Sequence, residues 1–220
     1  MSSQAKEHYL KALYYLHNSG QPISITALGK EMSLSKPTVN DMVKKLKEKG
    51  WLVYEKYKPL KLTAEGIKEA CLVIRKHRLA EMFLFQVMGF GWEEVHEMAE
   101  EIEHMKSEMF FDRMDEILGF PDKDPHGSPI PSRDGTMVST HYKALNEIDN
   151  DSRVVLKAIR GSSSELLKFL NKKSLKLGEQ LVVIEKEEFD QSVLISYGGD
   201  KEISLSQAVS KLLMVEYVTV

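Results

Sequence analysis

The chain has 220 residues, 42% of them hydrophobic and 29% charged, which is ordinary for a folded protein, and no run approaches the roughly 18 apolar residues of a membrane span. Its single cysteine, Cys71, excludes an intramolecular disulfide and a zinc site built on paired cysteines, so any metal must be held by His, Asp and Glu. Residues 1–76 carry 14 Lys and Arg against 7 Asp and Glu, a charge of +7, whereas residues 77–220 carry 16 against 26, a charge of -10.

This asymmetry favours a protein with one basic end that meets nucleic acid, although a lysine-rich solvated surface would give the same count. The first residues, 1–8, are polar and lack the apolar core of a secretory signal, so we expect a cytoplasmic protein with no membrane partner.

Apolar residues recur at helical spacing over about 4–17, 24–32 and 37–50. After Gly50 the period becomes that of strands, and residues 51–63 predict a β-hairpin around a basic turn. The pattern predicts a winged helix-turn-helix over 1–63.

A helical domain is predicted over 64–120. Thr63 caps a helix that continues to about Met88, a second helix follows over about 91–109, and a third over 110–118. Their Leu, Met and Phe residues exceed what one face of a lone helix needs to bury. We therefore expect a homodimer.

Proline and glycine interrupt any regular element between 121 and 151, which predicts a linker. Strand patterns follow at 154–156, 180–184, 192–195 and 215–218, with one short helix at about 164–170. Residues 152–220 are therefore expected to form a small barrel-like domain, and the fold class is mainly α with a smaller β domain.

The second helix of a helix-turn-helix lies in the major groove, and flanking basic residues hold phosphates. Pro37 sets the first turn of that helix, where its missing N–H costs nothing. An ordinary three-helix packing unit is the alternative. The predicted contacts to double-stranded DNA come from the helix start and from nearby lysines: Ser35, Lys36, Pro37, Thr38, Asn40, Lys44, Lys45, Lys56 and Lys58.

A second group of residues predicts a metal site. Two imidazoles and two carboxylates share one helix face because of their spacing: His96, Glu100, Glu103 and His104. Five acidic residues besides Glu103 lie within 93–101 and make a nearby cation favourable, and His77 and Glu81 stand four residues apart upstream. Oxygen and nitrogen donors suit manganese, ferrous iron or zinc. The alternative is a set of solvated surface charges.

Five segments carry a family resemblance that covers essentially the whole chain: 7–14 (EHYLKALY), 35–39 (SKPTV), 75–81 (RKHRLAE), the pair at 103–104, and 125–131 (PHGSPIP). In this order they resemble the diphtheria-toxin-repressor family, which includes iron-dependent repressors and manganese transport regulators. The resemblance implies that the C-terminal domain is SH3-like, as in the longer members.

By the same resemblance, one site is the primary, activating metal site, formed by His8, Glu100, Glu103 and His104. An ancillary site would draw on residues from several segments: His77, Glu81, His96, His126 and Glu165, with Asp124 as a further candidate. Iron-type members usually carry Met and Cys where this chain has His8 and Glu100, whereas manganese-type members carry Asp and Glu. The carboxylate favours Mn2+ over Fe2+, and His8 leaves the choice open. An amide is common in the family at the position of Asp41, so the operator sequence stays undetermined.

The resulting hypothesis is a repressor of metal-uptake genes with a divalent metal as corepressor. The ion would join the first helix, through His8, to the segment with Glu100 and His104, and would fix two winged helices at the spacing of two operator half-sites. Three alternatives remain: a winged-helix regulator that senses an organic ligand or a redox change, a di-metal enzyme, and a structural adaptor.

Overall fold

The computed structural model describes residues 3–161, 163–199 and 201–218. The described residues divide into two compact units. Unit 1 takes its residues from Met1–Ala80, Ala99–Ile117 and Ile130–Val138, and unit 2 from Glu81–Met98, Leu118–Pro129 and Ser139–Val220. Within the described ranges, no helix is both long and apolar enough to cross a membrane.

Unit 1 begins with three helices and a two-stranded hairpin: α1 (Ser3–Asn18), α2 (Ile25–Glu31), α3 (Lys36–Glu48), β1 (Leu52–Val53) and β2 (Lys61–Leu62). The starts of α2 and α3 are encoded locally. The Ser24 side chain caps α2 by accepting the amide of Ala27, and the Ser35 side chain caps α3 by accepting the amide of Thr38. The predicted winged helix-turn-helix is therefore confirmed.

One apolar core and one close backbone contact at a glycine hold this unit together. Large apolar side chains with almost no exposure form the core: Leu10, Leu13, Leu28, Met42, Leu46 and Ile74. Gly66, in the first turns of the next helix, lies so close to β1 that an added Cβ would stand 2.0 Å from the carbonyl oxygen of Trp51. This contact fixes where that helix leaves the hairpin.

Three further helices follow the hairpin: α4 (Ala64–Gln86), α5 (Val95–Ile102) and α6 (Glu108–Leu118). The prediction of one helix over 91–109 is wrong at both ends. At its start, Glu94 accepts the Gly91 amide through its carboxylate and donates its own amide to the Gly91 carbonyl, which makes a turn instead. At its end, α5 stops at Ile102, so Glu103 and His104 lie in the turn that follows.

Unit 2 contains an antiparallel six-stranded sheet. Its strands are β3 (Lys143–Ala144), β4 (Arg153–Ile159), β5 (Gln180–Lys186), β6 (Val193–Tyr197), β7 (Lys201–Leu205) and β8 (Leu213–Tyr217), in the order β3-β8-β4-β5-β6-β7. Helices α7 (Ser164–Lys173) and α8 (Gln207–Ser210) complete it. Apolar side chains from the sheet and from α7 form one core, including Leu156, Leu167 and Ile195.

The sequence patterns missed two strands of this sheet. Strand β7 has a mostly exposed, polar pattern because it lies at an edge, and β3 has only two residues and falls within the predicted linker. A short 3-10 turn, Leu145–Glu147, also lies within that linker. The predicted domain boundaries after 63, 120 and 151 stay predictions.

Candidate metal centres and DNA-binding surface

Three potential metal ligands meet in unit 1. His8 comes from α1, and Glu103 and His104 come from the turn after α5; their potential ligand atoms all lie within 4.8 Å of one another. The Nε2 atoms of His8 and His104 are 2.7 Å apart. On the other side of its ring, His104 Nδ1 donates to Glu7 Oε2 at 2.6 Å. A carboxylate that holds Nδ1–H in this way turns the Nε2 lone pair of His104 toward the cluster.

Glu103 is the buried centre of this cluster, with no exposed surface. The Lys11 ammonium donates to both of its oxygens, at 2.9 and 2.7 Å, and His77 Nδ1 donates to Oε2 at 2.6 Å. Burial by itself raises the pKa of the Glu103 carboxyl, but the bonds from His77 and Lys11 outweigh it and hold the pKa below its usual range. Glu103 therefore stays ionised as a potential metal ligand.

His8 is kept ready as a neutral ligand. Burial and the adjacent His104 ring lower its pKa, and they outweigh the opposing effect of Glu103. The fourth predicted ligand, Glu100, is half exposed and lies one turn earlier on α5; its Oε1 is 3.9 Å from Lys11 Nζ. Glu100 is not among the three residues whose ligand atoms already converge.

Unit 2 contains a second, fully buried group: Glu81, Asp124 and His126, whose potential ligand atoms also lie within 4.8 Å of one another. His126 Nε2 donates to the Trp92 carbonyl at 2.7 Å, and its Nδ1 is 3.6 Å from Glu81 Oε2. The other oxygen of Glu81 is 3.1 Å from Nδ1 of His96. The bond to Trp92 thus favours the neutral tautomer with its proton on Nε2, and the lone pair of Nδ1 then faces the carboxylates.

The turn that carries this second group is held rigidly. Asp124 Oδ1 accepts the amides of His126 and Ser128, and the Ile159 amide of β4 donates to the His126 carbonyl. Burial alone lowers the pKa of His126, but Glu81 and Asp124 outweigh burial and raise that pKa above its ordinary value. In the metal-free state this imidazole therefore binds its proton more tightly than a free histidine does.

The remaining predicted ligands have other surroundings. The division between the units falls between His77 and Glu81 on α4, and in unit 1 His77 contacts Glu103. Glu165 lies exposed in the first turn of α7 and belongs to none of the potential ligand groups in the described part of the chain. Sequence reasoning missed the roles of Glu7 and Lys11, although Lys11 stands three residues after His8 and so shares its helix face.

The predicted DNA contacts lie on the surface of the winged helix. At the start of α3, Ser35 Oγ and Thr38 Oγ1 are 2.9 Å apart, and Asn40 Oδ1 accepts the hydroxyl of Tyr54 at 3.1 Å. Tyr54 follows β1, so the hairpin orients the side-chain amide of Asn40 on α3. Side chains around these two are exposed: Lys36, Pro37, Lys44, Lys45, Lys56 and Lys58. In the hairpin turn, Lys58 pairs with Glu55 at 2.5 Å.

Three family models match successive parts of the chain. The iron dependent repressor N-terminal DNA binding domain matches residues 1–60, the iron dependent repressor metal binding and dimerisation domain matches 63–132, and the FeoA domain matches 143–217. The last match, together with the small antiparallel sheet, confirms the predicted SH3-like C-terminal domain.

Relatives and solved structures agree with these models. The chain is 32% identical to the diphtheria toxin repressor of Corynebacterium jeikeium over 82% of its own length and 76% of that protein, and 38% identical to the iron-dependent repressor IdeR of Mycobacterium leprae over 57% and 54%. A manganese-dependent transcriptional repressor in complex with manganese superposes with a TM-score of 0.90 at 27% identity, covering 97% of this chain and all of that one. ScaR with bound Cd2+ gives 0.87 at 32% identity, covering 97% and 99%. The chain therefore belongs to the diphtheria-toxin-repressor family of metal-dependent, DNA-binding transcriptional repressors.

Proposed function

We propose that this repressor is activated by Mn2+, and that His8, Glu103 and His104 hold the activating ion with Glu100 as a further ligand. The cluster of the first three residues carries the proposal, because it joins two imidazoles to an ionised carboxylate with no exposed surface. Burying a carboxylate costs free energy unless the carboxylate is paired. Here its partners, Lys11 and His77, lie beside the cluster that could hold an ion. This donor set fits a divalent cation.

Manganese is favoured over iron by the chemistry of the donors. The set contains oxygen and imidazole nitrogen but no thiolate, and harder ligands suit Mn2+. The similar repressor solved with manganese supports the same choice, and so does ScaR, which is described as manganese-activated although it was also solved with Cd2+ and Zn2+. IdeR, in contrast, is named as iron-dependent. The preference is therefore a proposal to be tested ion by ion.

The arrangement couples the ion to DNA binding through α1. When bound, the metal supplies a positive charge shared by α1 and the turn after α5. Helix α1 packs into the core of the winged helix, because Leu10 and Leu13 contact the same apolar cluster as Met42 and Leu46 of α3. Fixing His8 against Glu103 therefore fixes the DNA-binding helix as well. By thermodynamic reciprocity, DNA must raise metal affinity by the same factor.

The start of α3 is proposed to read bases, and the lysines to hold phosphates. Ser35, Lys36, Thr38 and Asn40 are the proposed base contacts, with Pro37 setting the turn. Tyr54 supports this role for Asn40, because its hydroxyl occupies one side of the amide oxygen and orients the amide plane. The proposed phosphate contacts are the exposed lysines of α3 and the hairpin: Lys44, Lys45, Lys56 and Lys58.

A homodimer on two operator half-sites is the proposed active form. Met109, Phe110 and Ile117 of α6 are exposed apolar side chains, and the matched family model describes a dimerisation domain over this part of the chain. The proposed targets are metal-uptake genes, and the proposed place of action is the cytoplasm. The proposed domains are 1–63, 64–120 and 152–220, joined by the linker 121–151.

The second buried group is proposed as the ancillary metal site, with Glu81, Asp124 and His126 as ligands and His96 bonded to Glu81. Their burial and their fixed turn support this assignment. His77 and Glu165 stay predictions for this site. The proposed role is regulatory and not catalytic, because the family is one of repressors. An organic-ligand sensor would bind DNA in the presence of a chelator.

The first experiment titrates the protein's own upstream DNA at fixed salt with a chelator, Mn2+, Fe2+ or Zn2+. We expect binding only with metal, with Mn2+ effective at the lowest free concentration. His8→Ala is expected to abolish this response because it removes one imidazole and the link to α1. His17→Ala, an exposed histidine at the end of the same helix, is the matched control. Binding that persists in chelator contradicts the proposal, and so does a His8→Ala variant with an unchanged metal response.

The two sites are expected to differ in their pH dependence. At the second site a metal must displace the proton of His126, whose pKa is raised, so affinity there falls as pH drops toward the ordinary histidine pKa from above. The pKa of His8 is lowered, so its neutral form at the primary site persists below that value. Mn2+ binding is measured by electron paramagnetic resonance at constant free metal while the pH is lowered. The ion at the second site should be lost before the ion at the primary site. Equal losses at both sites would contradict this; His126→Ala should lack the second equivalent at every pH.

A further inference from the structure

A buried lysine contacts the carboxylates of the proposed primary site. Lys11 stands three residues after His8 on α1, and only 8% of the residue is exposed. Lysines are rarely buried to this extent unless they are paired. The ammonium of Lys11 lies 2.9 and 2.7 Å from the two oxygens of Glu103 and 3.9 Å from Oε1 of Glu100. It therefore contacts both carboxylates that are proposed to hold the activating ion.

Lys11 and a bound metal ion would both need the carboxylate oxygens of Glu103. The carboxylate already accepts bonds from Lys11 on both oxygens and from His77 on one. A divalent cation bound to the same carboxylate would stand within a few ångströms of the ammonium, and the two positive charges repel strongly where water is excluded. The four-carbon stem of lysine is flexible, so the ammonium is able to withdraw from Glu103.

We infer that Lys11 is an internal counter-cation that competes with the activating metal for Glu103. This inference rests on the proposed function and adds a residue that sets the free metal concentration at which the repressor responds. In the metal-free protein Lys11 neutralises the buried carboxylate and stabilises the fold. Metal binding exchanges this ammonium for the ion, so the protein responds only at a higher free metal concentration than its ligands alone would set.

A competing cation and a purely structural lysine differ in how their removal changes the affinity for Mn2+. Lys11→Met keeps the length and the apolar stem but removes the charge. It is expected to raise the affinity for Mn2+ about tenfold or more, because the competing charge is gone. The same variant is expected to unfold at a lower temperature in chelator, since Glu103 loses a partner, and to show a larger rise in that temperature on adding Mn2+. A structural role alone would lower stability without tightening metal binding.

The experiment measures Mn2+ affinity of the full chain by competition with a chelating indicator, and thermal unfolding in chelator and in saturating Mn2+. Lys6→Met is the matched control, because it removes the same charge from the same helix outside the ligand cluster. Lys11→Arg keeps the charge and should bind Mn2+ with an affinity close to that of the wild type. If Lys11→Met does not fold, Lys11→Gln provides the same comparison.

Tighter binding by the neutral Lys11 variant, with Lys6→Met near the wild type, supports the inference. Unchanged or weaker binding by that variant overturns it, and so does equal tightening by Lys6→Met, which would reflect net charge alone. A wild-type protein that binds no Mn2+ in the same assay would overturn the proposed metal site itself, and the role of Lys11 with it.

Discussion

Glu103→Gln is expected to abolish metal-activated DNA binding and to lower the free energy of unfolding of the metal-free protein by about 3 kcal/mol. The carboxylate has no exposed surface, and both Lys11 and His77 donate to it. Glutamine keeps the shape but removes the charge, so the buried Lys11 ammonium loses its close anionic partner and keeps the Glu100 carboxylate at 3.9 Å. Chemical unfolding in chelator measures the stability loss, and a DNA titration with Mn2+ measures the loss of activation.

Glu101→Gln provides the control for this variant. Glu101 is an exposed residue of α5, two positions before Glu103, and its substitution changes the net charge equally. We expect it to unfold and to respond to Mn2+ as the wild type does, because exposed charges contribute little to stability. A Glu103→Gln variant that behaved like Glu101→Gln would show that the buried carboxylate neither holds the ion nor supports the fold.

Gly66→Ala is expected to destabilise the winged helix by about 3 kcal/mol, the upper end of the usual cost of overpacking. The added Cβ would stand 2.0 Å from the Trp51 carbonyl oxygen, which is backbone and has no rotamer to change. Either α4 or the hairpin must therefore shift. Helix propensity alone predicts the opposite sign, a gain of about 1 kcal/mol on replacing a helical glycine by alanine. Thermal and chemical unfolding distinguish the two.

Gly29→Ala is the graded comparison within the same unit. Its added Cβ would lie 3.0 Å from the Leu34 carbonyl oxygen, so a shift of a few tenths of an ångström relieves the contact. We expect a clearly smaller loss than for Gly66→Ala. A Gly66→Ala protein as stable as the wild type would mean that α4 does not depend on its close approach to β1.

Several features of this protein are local, and the sequence alone predicted them. Capping serines, a proline in the first turn of α3 and a change of period after Gly50 act within a few residues, so the helices and strands of the winged helix were predicted close to their observed positions. The helix 91–109 was predicted too long because apolar spacing does not register a turn closed by a side chain, here that of Glu94. Strand β7 was missed because an edge strand buries little and its pattern is polar.

The metal centres divide in the same way. Spacing placed Glu100, Glu103 and His104 in one acidic segment, and the family resemblance added His8. No local pattern joins His8 to Glu103, which stand 95 residues apart; only the packing of α1 against the turn after α5 brings their ligand atoms together. The same packing placed the ammonium of Lys11 on Glu103, and within unit 2 the fold separately brought Asp124 and His126 to Glu81. Periodicity and capping reflect neighbours along the chain, whereas which cation neutralises a buried carboxylate depends on contacts between distant segments, and only the tertiary structure decides those.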